Sequence, residues 1–530
     1  MSPSERPWSH DVPEGPWDYV VIGSGMGGMS AAALLAKLGK RVLILEQHTI
    51  PGGFTQTFKR PGYHWDVGVH IVGEMSDMSY PGRLLESLTE GRLAWEPVGN
   101  VYDEFHFPDG FAIQFPNSRK GFRANLIDAF PNEVAAIDEY LELVRAAARS
   151  AAKYLQMRAV PSLMAPGGRR RAETAALPHL TATTQHVLES LTDDRRLCAV
   201  LAAQWGYYGA TPAHSSFAMH ALMVQHFMYG AFYPVGGAAS IAHAMLATVA
   251  AAGGWTAVRR SAAEIVVRRG KVNGVRLDNG AEIAARRVIS AAGAVTTAAL
   301  LGEPSPAGTY RESGPAHVSL YLGFTGDIEA HGAHRYCQWY YDSWNLEVAE
   351  WDIAPGRPSD EAPVLFCSFP SIKDPAHDPG PDQHHTGEAI TFVPWEAFAP
   401  WIGTKWQRRG PEYEGFKQEL SDRLLQQYLR HYPGLESLVD HVEMSTPLST
   451  SHFAAADRGS IYGLGTEPAR FRDTTLAPKT SVKGLYLGGA DAGAPGVVGA
   501  LTGGVLAAVA AEPIVASRFV QPLMRRPQPA

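Results

Sequence analysis

The residues best placed to do chemistry in this chain are glycines. Tyr19-Val20-Val21-Ile22 is an unbroken apolar run that ends in Gly23-Ser24-Gly25-Met26-Gly27-Gly28. Ala- and Leu-rich sequence follows to Leu38, then a stop at Gly39 and a second apolar run, Val42 to Leu45. That order predicts strand, tight turn, helix and strand, a right-handed βαβ unit whose strands are parallel and buried. Gly23 permits the turn off the strand, Gly25 lets the backbone approach a pyrophosphate, and Gly28 lets helix and strand pack closely. The helix that starts beside Ser24 and Met26 turns free N–H groups and a partial positive charge toward the phosphates. Glu46, at the end of the second strand, is placed to accept hydrogen bonds from a ribose diol and disfavours a 2′-phosphate.

Features outside this unit separate NAD from FAD. Pro51-Gly52-Gly53 offers a second backbone approach to a dinucleotide soon after Glu46. At the other end of the chain, Leu485-Tyr486-Leu487 runs into Gly488-Gly489-Ala490-Asp491 and then Gly496-Val497-Val498-Gly499-Ala500, again strand, turn and Gly-rich helix start. Two dinucleotide elements at opposite chain ends predict one extended FAD. Gly489 and Asp491 would lie at the ribitol, and the helix start at Val498 and Gly499 would face the pyrimidine edge of the flavin, where negative charge develops on reduction. Val258 joins these expected cofactor contacts. A second complete Gly-rich fingerprint is not found, so electrons are expected from NAD(P)H in transient contact or from a separate redox partner.

The elements that must position this constellation leave their own marks. From Asn132 to Tyr154 apolar residues recur at three and four, predicting a helix outside the nucleotide fold. Ala257 to Ala292 alternates short strand-like runs with turns, predicting a β-meander. The stretch Gly493 to Ala511 is uncharged but rich in Gly and Ala, and reads as a buried helix rather than a membrane span. Between Arg145 and Arg171 stand seven Arg or Lys residues and no acid, interleaved with Leu155, Met157, Leu163 and Met164. Such a stretch is either a solvated helix end with a loop or a membrane-surface contact. The polar segment Lys373 to Glu388 holds His377, His384 and His385 beside Asp374, Asp378 and Asp382, yet its spacing fits no metal site and it reads as a surface loop.

Composition bounds the rest. The 530 residues carry 46 basic and 53 acidic side chains, a net charge of -7, which argues against nucleic acid as a partner. Three widely spaced cysteines, Cys198, Cys337 and Cys367, form no CxxC and suggest a reducing, cytoplasmic setting, with peripheral contact at the inner membrane surface as the extension of the basic stretch. The expected fold is α/β: a Rossmann-like FAD-binding domain of the glutathione-reductase flavoprotein type with an inserted α+β substrate domain. Residues 17–75, 225–310 and 470–517 are assigned to the first and 76–224 and 311–469 to the second, with mobile tails at 1–16 and 518–530.

Beyond these local signals, VIGSGMGG, VLILEQHTIPGG, HWDVGVHIVG from His64, LTEGRLAW from Leu88, AQWGYYG from Ala203, YPVGGAASIA from Tyr233, and TPLSTSHF with RGSIYG from Thr446 span most of the chain. The whole resembles the flavoprotein family of retinol saturases, carotenoid isomerases and bacterial-type phytoene desaturases, the saturases most. The resemblance implies a FAD domain assembled from discontinuous segments, an apolar substrate domain, and Asp66, Gly68 and His70 near the isoalloxazine ring. It departs at Phe54, where the desaturases carry a basic residue, and this sets the chain apart from strict desaturases.

A flavin acting on an alkene needs an apolar tunnel and a proton source. Trp205, Phe227, Tyr229, Phe232 and Tyr233 are the candidate tunnel walls, and His70, then Tyr207 and Tyr208, the candidate proton donors. The reaction expected is saturation of a long apolar polyene; redox-neutral cis–trans isomerisation and desaturation are the alternatives.

Overall fold

The computed structural model describes residues 6–161, 163–302, 310, 312–353, 361–381 and 383–525. The two apolar runs of the first βαβ unit become the strands Tyr19–Ile22 and Val42–Leu45, and the helix between them is Met26–Lys37. Both strands are buried at every residue, as strands covered on two faces must be. They form the centre of a six-stranded sheet in the order Trp8–Ser9, Trp255–Ala257, Val42–Leu45, Tyr19–Ile22, Val288–Ser290, Leu485–Leu487. All five pairings are parallel. The chain therefore returns to this layer from both sides of long insertions.

The helix Met26–Lys37 packs on the C-terminal helix Gly496–Ala511 through glycine. A Cβ at Gly27 would stand 2.3 Å from Gly489 Cα, and one at Gly504 would stand 2.0 Å from the Gly27 carbonyl oxygen. Only hydrogen at these positions lets two backbones come so close. The uncharged Gly493–Ala511 stretch thus contains the helix Gly496–Ala511, buried over most of Leu501–Val509, and among the described residues no helix is long and apolar enough to cross a membrane.

A second, seven-stranded sheet runs Val439–Ser445, Ala316–Phe324, His385–Val393, Val364–Ser368, Cys337–Tyr341, Val101–Phe107, Phe111–Pro116. Its pairings are antiparallel except Cys337–Tyr341 with Val101–Phe107. Aromatic side chains dominate one face, where Phe105, Phe107, Trp339, Tyr341 and Phe366 join a core with the helices Val134–Ala159 and Phe217–Phe227. The predicted helix from Asn132 is the 26-residue Val134–Ala159. The predicted meander is the three-stranded antiparallel sheet Ala262–Arg268, Lys271–Leu277, Glu282–Ala284.

Three boundaries differ from the sequence expectation. Residues 6–16 are not wholly a loose tail, since Trp8–Ser9 adds a parallel strand to the sheet edge and Trp8 packs against His243, ring centroids 4.6 Å apart. The C-terminal tail begins later than 518, because Pro513–Met524 is a helix whose Ala516 and Val520 are buried. Helix Tyr80–Thr89, expected in the substrate domain, packs its Leu84, Leu85 and Leu88 into the core beneath the six-stranded sheet. Residues 1–5 and 526–530 of the expected tails lie outside the described residues.

Candidate functional site

The dinucleotide cradle forms where the two Gly-rich turns meet. A Cβ at Gly28 would stand 2.0 Å from the Gly23 carbonyl oxygen, so strand and helix touch as the motif requires. Gly25, by contrast, faces open space, with no atom within 4 Å of a Cβ there, and it caps the helix with no side-chain hydrogen bond. The first N–H groups of the helix are left for an anion. Gly52 forms a parallel bridge with Gly25, and a Cβ on Gly53 would stand 3.0 Å from Gly25 Cα, so the Pro51-Gly52-Gly53 turn does reach the same point.

Glu46 is buried and holds the turn together. Its Oε2 accepts from Ser24 N at 2.9 Å and Ser24 Oγ at 2.5 Å, and its Oε1 accepts from His48 N at 2.7 Å. A carboxylate has about four acceptor positions, so one remains for a ribose hydroxyl. Val258 is buried at the end of the strand Trp255–Ala257, beside the segment where Glu46 N donates to Ala257 O. Asp491 has a structural task that the sequence did not disclose: its two oxygens accept from Leu464 N at 3.0 Å and Ala294 N at 2.7 Å, tying three segments together. The helix Gly496–Ala511 starts after Pro495 with no side-chain cap, so Val498 and Gly499 lie in a first turn with unbonded N–H groups. These uncapped helix starts and the glycine approach suit an extended dinucleotide with a diphosphate and an electron-rich ring edge.

From that second helix start opens a cavity of about 490 Å³, within the usual size of a small-molecule site. Leu155, Met219, Leu222 and Met223 give it an apolar wall; Tyr229 and Tyr208 also line it, and Arg145 and Arg149 lie on the same wall as Leu155. Of the predicted tunnel aromatics, only Tyr229 lies here. Trp205, Phe227 and Tyr233 are core residues instead: Trp205 packs on Phe392, Phe227 stacks on Tyr102 at 4.5 Å, and the Tyr233 hydroxyl donates to Asp66. Phe232 is partly buried against the nucleotide-side core. Large rings in a charge-poor segment pack as readily as they line a tunnel, and sequence does not distinguish the two.

The proton-donor candidates are in two places. Tyr208 is buried, its hydroxyl 3.2 Å from His220 Nδ1, and His220 Nε2 lies 2.8 Å from the Tyr140 hydroxyl. Burial pushes the His220 imidazole down to about 3, so that ring is neutral. His70 and Tyr207 belong to another cluster, built by residues that the motifs did not reveal. His70 Nδ1 lies 3.1 Å from Oε2 of the fully buried Glu388, at ion-pair distance but poorly aligned for a hydrogen bond. Lys373, also fully buried, donates to Ser368 Oγ at 2.6 Å and to the His70 carbonyl and Cys337 Sγ, both at 3.3 Å. Tyr207 donates to Asp103 Oδ1 at 2.7 Å. Burial drives the Asp103 carboxyl well above the carboxylate range, and the Tyr207 hydroxyl and Lys373 charge pull it partway back.

Lys373 to Glu388 is therefore no simple surface loop, for both of its ends are interior. Glu388 could have been noticed as the one acid in the run His385–Val393, which is rich in β-branched residues; Lys373 and Asp103 carry no comparable signal. Among the described residues no group of three or more His, Cys, Asp or Glu is arranged to hold a metal ion, and Asp382 lies outside them. Gly68 packs on Phe54, whose ring carbon would be 3.2 Å from a Cβ, so the unusual Phe54 fills space beside the segment that leads to His70.

Comparison with known proteins bears on the same parts of the chain. Residues 21–87 match the NAD(P)-binding Rossmann-like domain model. All-trans-retinol 13,14-reductase of Danio rerio is 33% identical over 92% of this chain and 84% of its own, and the Homo sapiens protein 33% over 94% and 86%. Prolycopene isomerase of Arabidopsis thaliana is 26% identical over 86% and 75%. Putrescine oxidase bound to putrescine superimposes with a TM-score of 0.59 at 17% identity, over 95% of this chain and 100% of that one, a likeness of fold. With a third of its residues shared over nine-tenths of its length, the chain belongs to the FAD-dependent oxidoreductase family of the all-trans-retinol 13,14-reductases and prolycopene isomerases.

Proposed function

We propose that this protein saturates a carbon–carbon double bond of a long apolar polyene, a retinoid- or carotenoid-like isoprenoid. The observation that carries this reading is the cavity of about 490 Å³ that runs from the glycine start of helix Gly496–Ala511 along the apolar faces of helices Val134–Ala159 and Phe217–Phe227. Gly23–Gly28, Glu46, Gly52–Gly53 and the Val498–Gly499 turn would hold FAD, which when bound would supply a hydride or an electron pair. The protein must supply the proton. Saturation places hydride on one alkene carbon and a proton on its neighbour, and His70, backed by Glu388 and held at its carbonyl by Lys373, is the group assigned to deliver that proton. With only 12% of its side chain exposed, His70 is largely shielded from solvent, which limits exchange of that proton with water. Electrons come from NAD(P)H or a separate redox partner, a choice that anaerobic reduction of the flavin by NADH or NADPH tests directly.

Product mass decides the reaction. A gain of two hydrogens supports saturation; unchanged mass with a shifted absorption spectrum turns the assignment to isomerisation, the second reading, which the prolycopene isomerase relatives favour; a loss of two hydrogens turns it to desaturation. An apolar substrate also calls for contact with a membrane surface. The segment after helix Val134–Ala159 suits it, with Leu163 93% exposed, Met164 exposed, and Arg169, Arg170 and Arg171 at the surface. Co-sedimentation with anionic liposomes that survives charge reversal at those three arginines would refute this contact. Arg158 takes no part in it, since it is buried and donates to the Leu476 carbonyl.

A further inference from the structure

The cavity assigned to the polyene is not uniformly apolar. Arg145 and Arg149 lie one turn apart on helix Val134–Ala159, and both are exposed where they line its wall. Like charges at this spacing repel, and a helix normally places acids beside them. Here the acids and the other arginine are already engaged. Glu142, three residues before Arg145, pairs with Arg119 at 2.8 Å. Glu74, the carboxylate on the cavity wall, lies 3.2 Å from His226 Nδ1. His226 Nε2 accepts from Gly73 N at 2.8 Å, which leaves the ring proton on Nδ1 facing Glu74. Arg83, the remaining cavity arginine, donates to the carbonyls of Leu523 and Asp77. Two guanidinium groups thus face the cavity without an acidic partner among the described residues.

Their position along the helix is informative. Leu155 belongs to the core cluster that Val497 and Val498 pack against, at the flavin end. Arg149 and Arg145 are six and ten residues before it, about 9 and 15 Å along the helix at 1.5 Å per residue. Resting on the reading of this cavity as the polyene site, we propose that Arg145 and Arg149 bind the carboxylate of an amphiphilic polyene, so that the substrate is a polyene acid rather than a hydrocarbon or an alcohol. Guanidinium forks suit a carboxylate because they present paired donors to its two oxygens. An anchored head group also fixes which double bond reaches the flavin end, giving the cavity a register that an apolar chain alone lacks.

The test is binding of parinaric acid, a fluorescent conjugated tetraene acid, to the flavin-loaded protein, against its methyl ester. The acid is expected to bind about tenfold more tightly than the ester at low salt. That preference should shrink as salt rises and vanish in the double variant Arg145→Gln/Arg149→Gln. Both positions are exposed, and unchanged flavin content and melting temperature confirm that the variant is folded. Equal binding of acid and ester to the unaltered protein overturns the anchor and leaves the polyene cavity standing. Binding of neither overturns both. The double variant should sediment normally with phosphatidylcholine vesicles containing phosphatidylserine. If instead it loses vesicle binding while keeping its preference for the acid, the arginines belong to a membrane contact and the anchor is refuted.

Discussion

Asp66 offers the sharpest quantitative test of the physical picture, because it is a fully buried acid whose three partners are all donors. Thr57 Oγ1 donates to its Oδ1 at 2.7 Å, Ala238 N to the same oxygen at 3.0 Å, and the Tyr233 hydroxyl to Oδ2. Burial pushes its carboxyl up to about 6, and the hydroxyls of Tyr233 and Thr57 restrain the rise. With an unfolded value near 3.9, the folded state holds its proton more tightly. Its contribution to stability is therefore greatest below about pH 4, falls as pH rises, and levels off above about pH 6 at a deficit of about 3 kcal/mol. Roughly 1.4 kcal/mol of that deficit develops between about pH 5 and pH 7.5. Asp66→Asn removes the titration; its amide oxygen can still accept from Thr57 and Ala238, and the Tyr233 hydroxyl can turn to accept from its NH₂. Urea unfolding of both proteins at several pH values isolates the residue, since all other groups cancel in the difference. The variant should gain about 1.4 kcal/mol on the parent between pH 5 and 7.5. A difference that stays flat, or changes sign, would show that Asp66 is ionised throughout and that its donors outweigh its burial.

Three further outcomes test the site. Gly25→Ala and Gly28→Ala should separate cofactor from fold: the Gly25 Cβ meets no protein atom, so melting of the flavin-free protein is unchanged while flavin binds about tenfold or more weakly, whereas the Gly28 Cβ, 2.0 Å from the Gly23 carbonyl oxygen, destabilises the flavin-free protein by about 3 kcal/mol or more; both are read by flavin absorbance and thermal melting of the flavin-free protein. His70→Asn should keep its flavin and lower product formation by about 10²–10⁴-fold, and full activity in that variant would remove His70 as the proton source. Tyr207→Phe strips Asp103 of a hydroxyl donor and should cost about 1–3 kcal/mol in chemical unfolding. Because Asp103 is already held well above the carboxylate range, losing a group that lowers it raises it further, so the cost should grow as pH rises.

How much of this was legible in the sequence depended on whether the physical constraint was local. Tyr19–Ile22, Met26–Lys37 and Val42–Leu45 could be read almost to the residue because apolar runs and glycines at fixed offsets are enforced within one βαβ unit. The C-terminal strand and helix were legible for the same reason. Trp8–Ser9 was not, because a two-residue edge strand has no period and its partner, Trp255–Ala257, is remote in sequence. The allegiance of helix Tyr80–Thr89 to the nucleotide layer, in a stretch assigned to the substrate domain, is fixed by what Leu84, Leu85 and Leu88 touch, which no local pattern records.

The cluster around His70, proposed to deliver the proton, was the least legible part, and the reason bears on that proposal. Asp103 is remote in the chain from Lys373 and Glu388, which stand at the two ends of one segment, and each is buried where a neutral residue would be cheaper. Taking a carboxylate or an ammonium group out of water costs several kcal/mol that a single imperfect contact does not return. Glu388 illustrates the point: its oxygens make no well-aligned hydrogen bond among the described residues, and His70 Nδ1 lies 3.1 Å from its Oε2. A core selected only for stability would have lost such a group. A buried, incompletely satisfied carboxyl beside a partly exposed histidine suits the proposed proton delivery, because dry surroundings keep the proton from water. The motifs that identify the cofactor are written in contiguous glycines; the groups that would direct its electrons are written only in the fold.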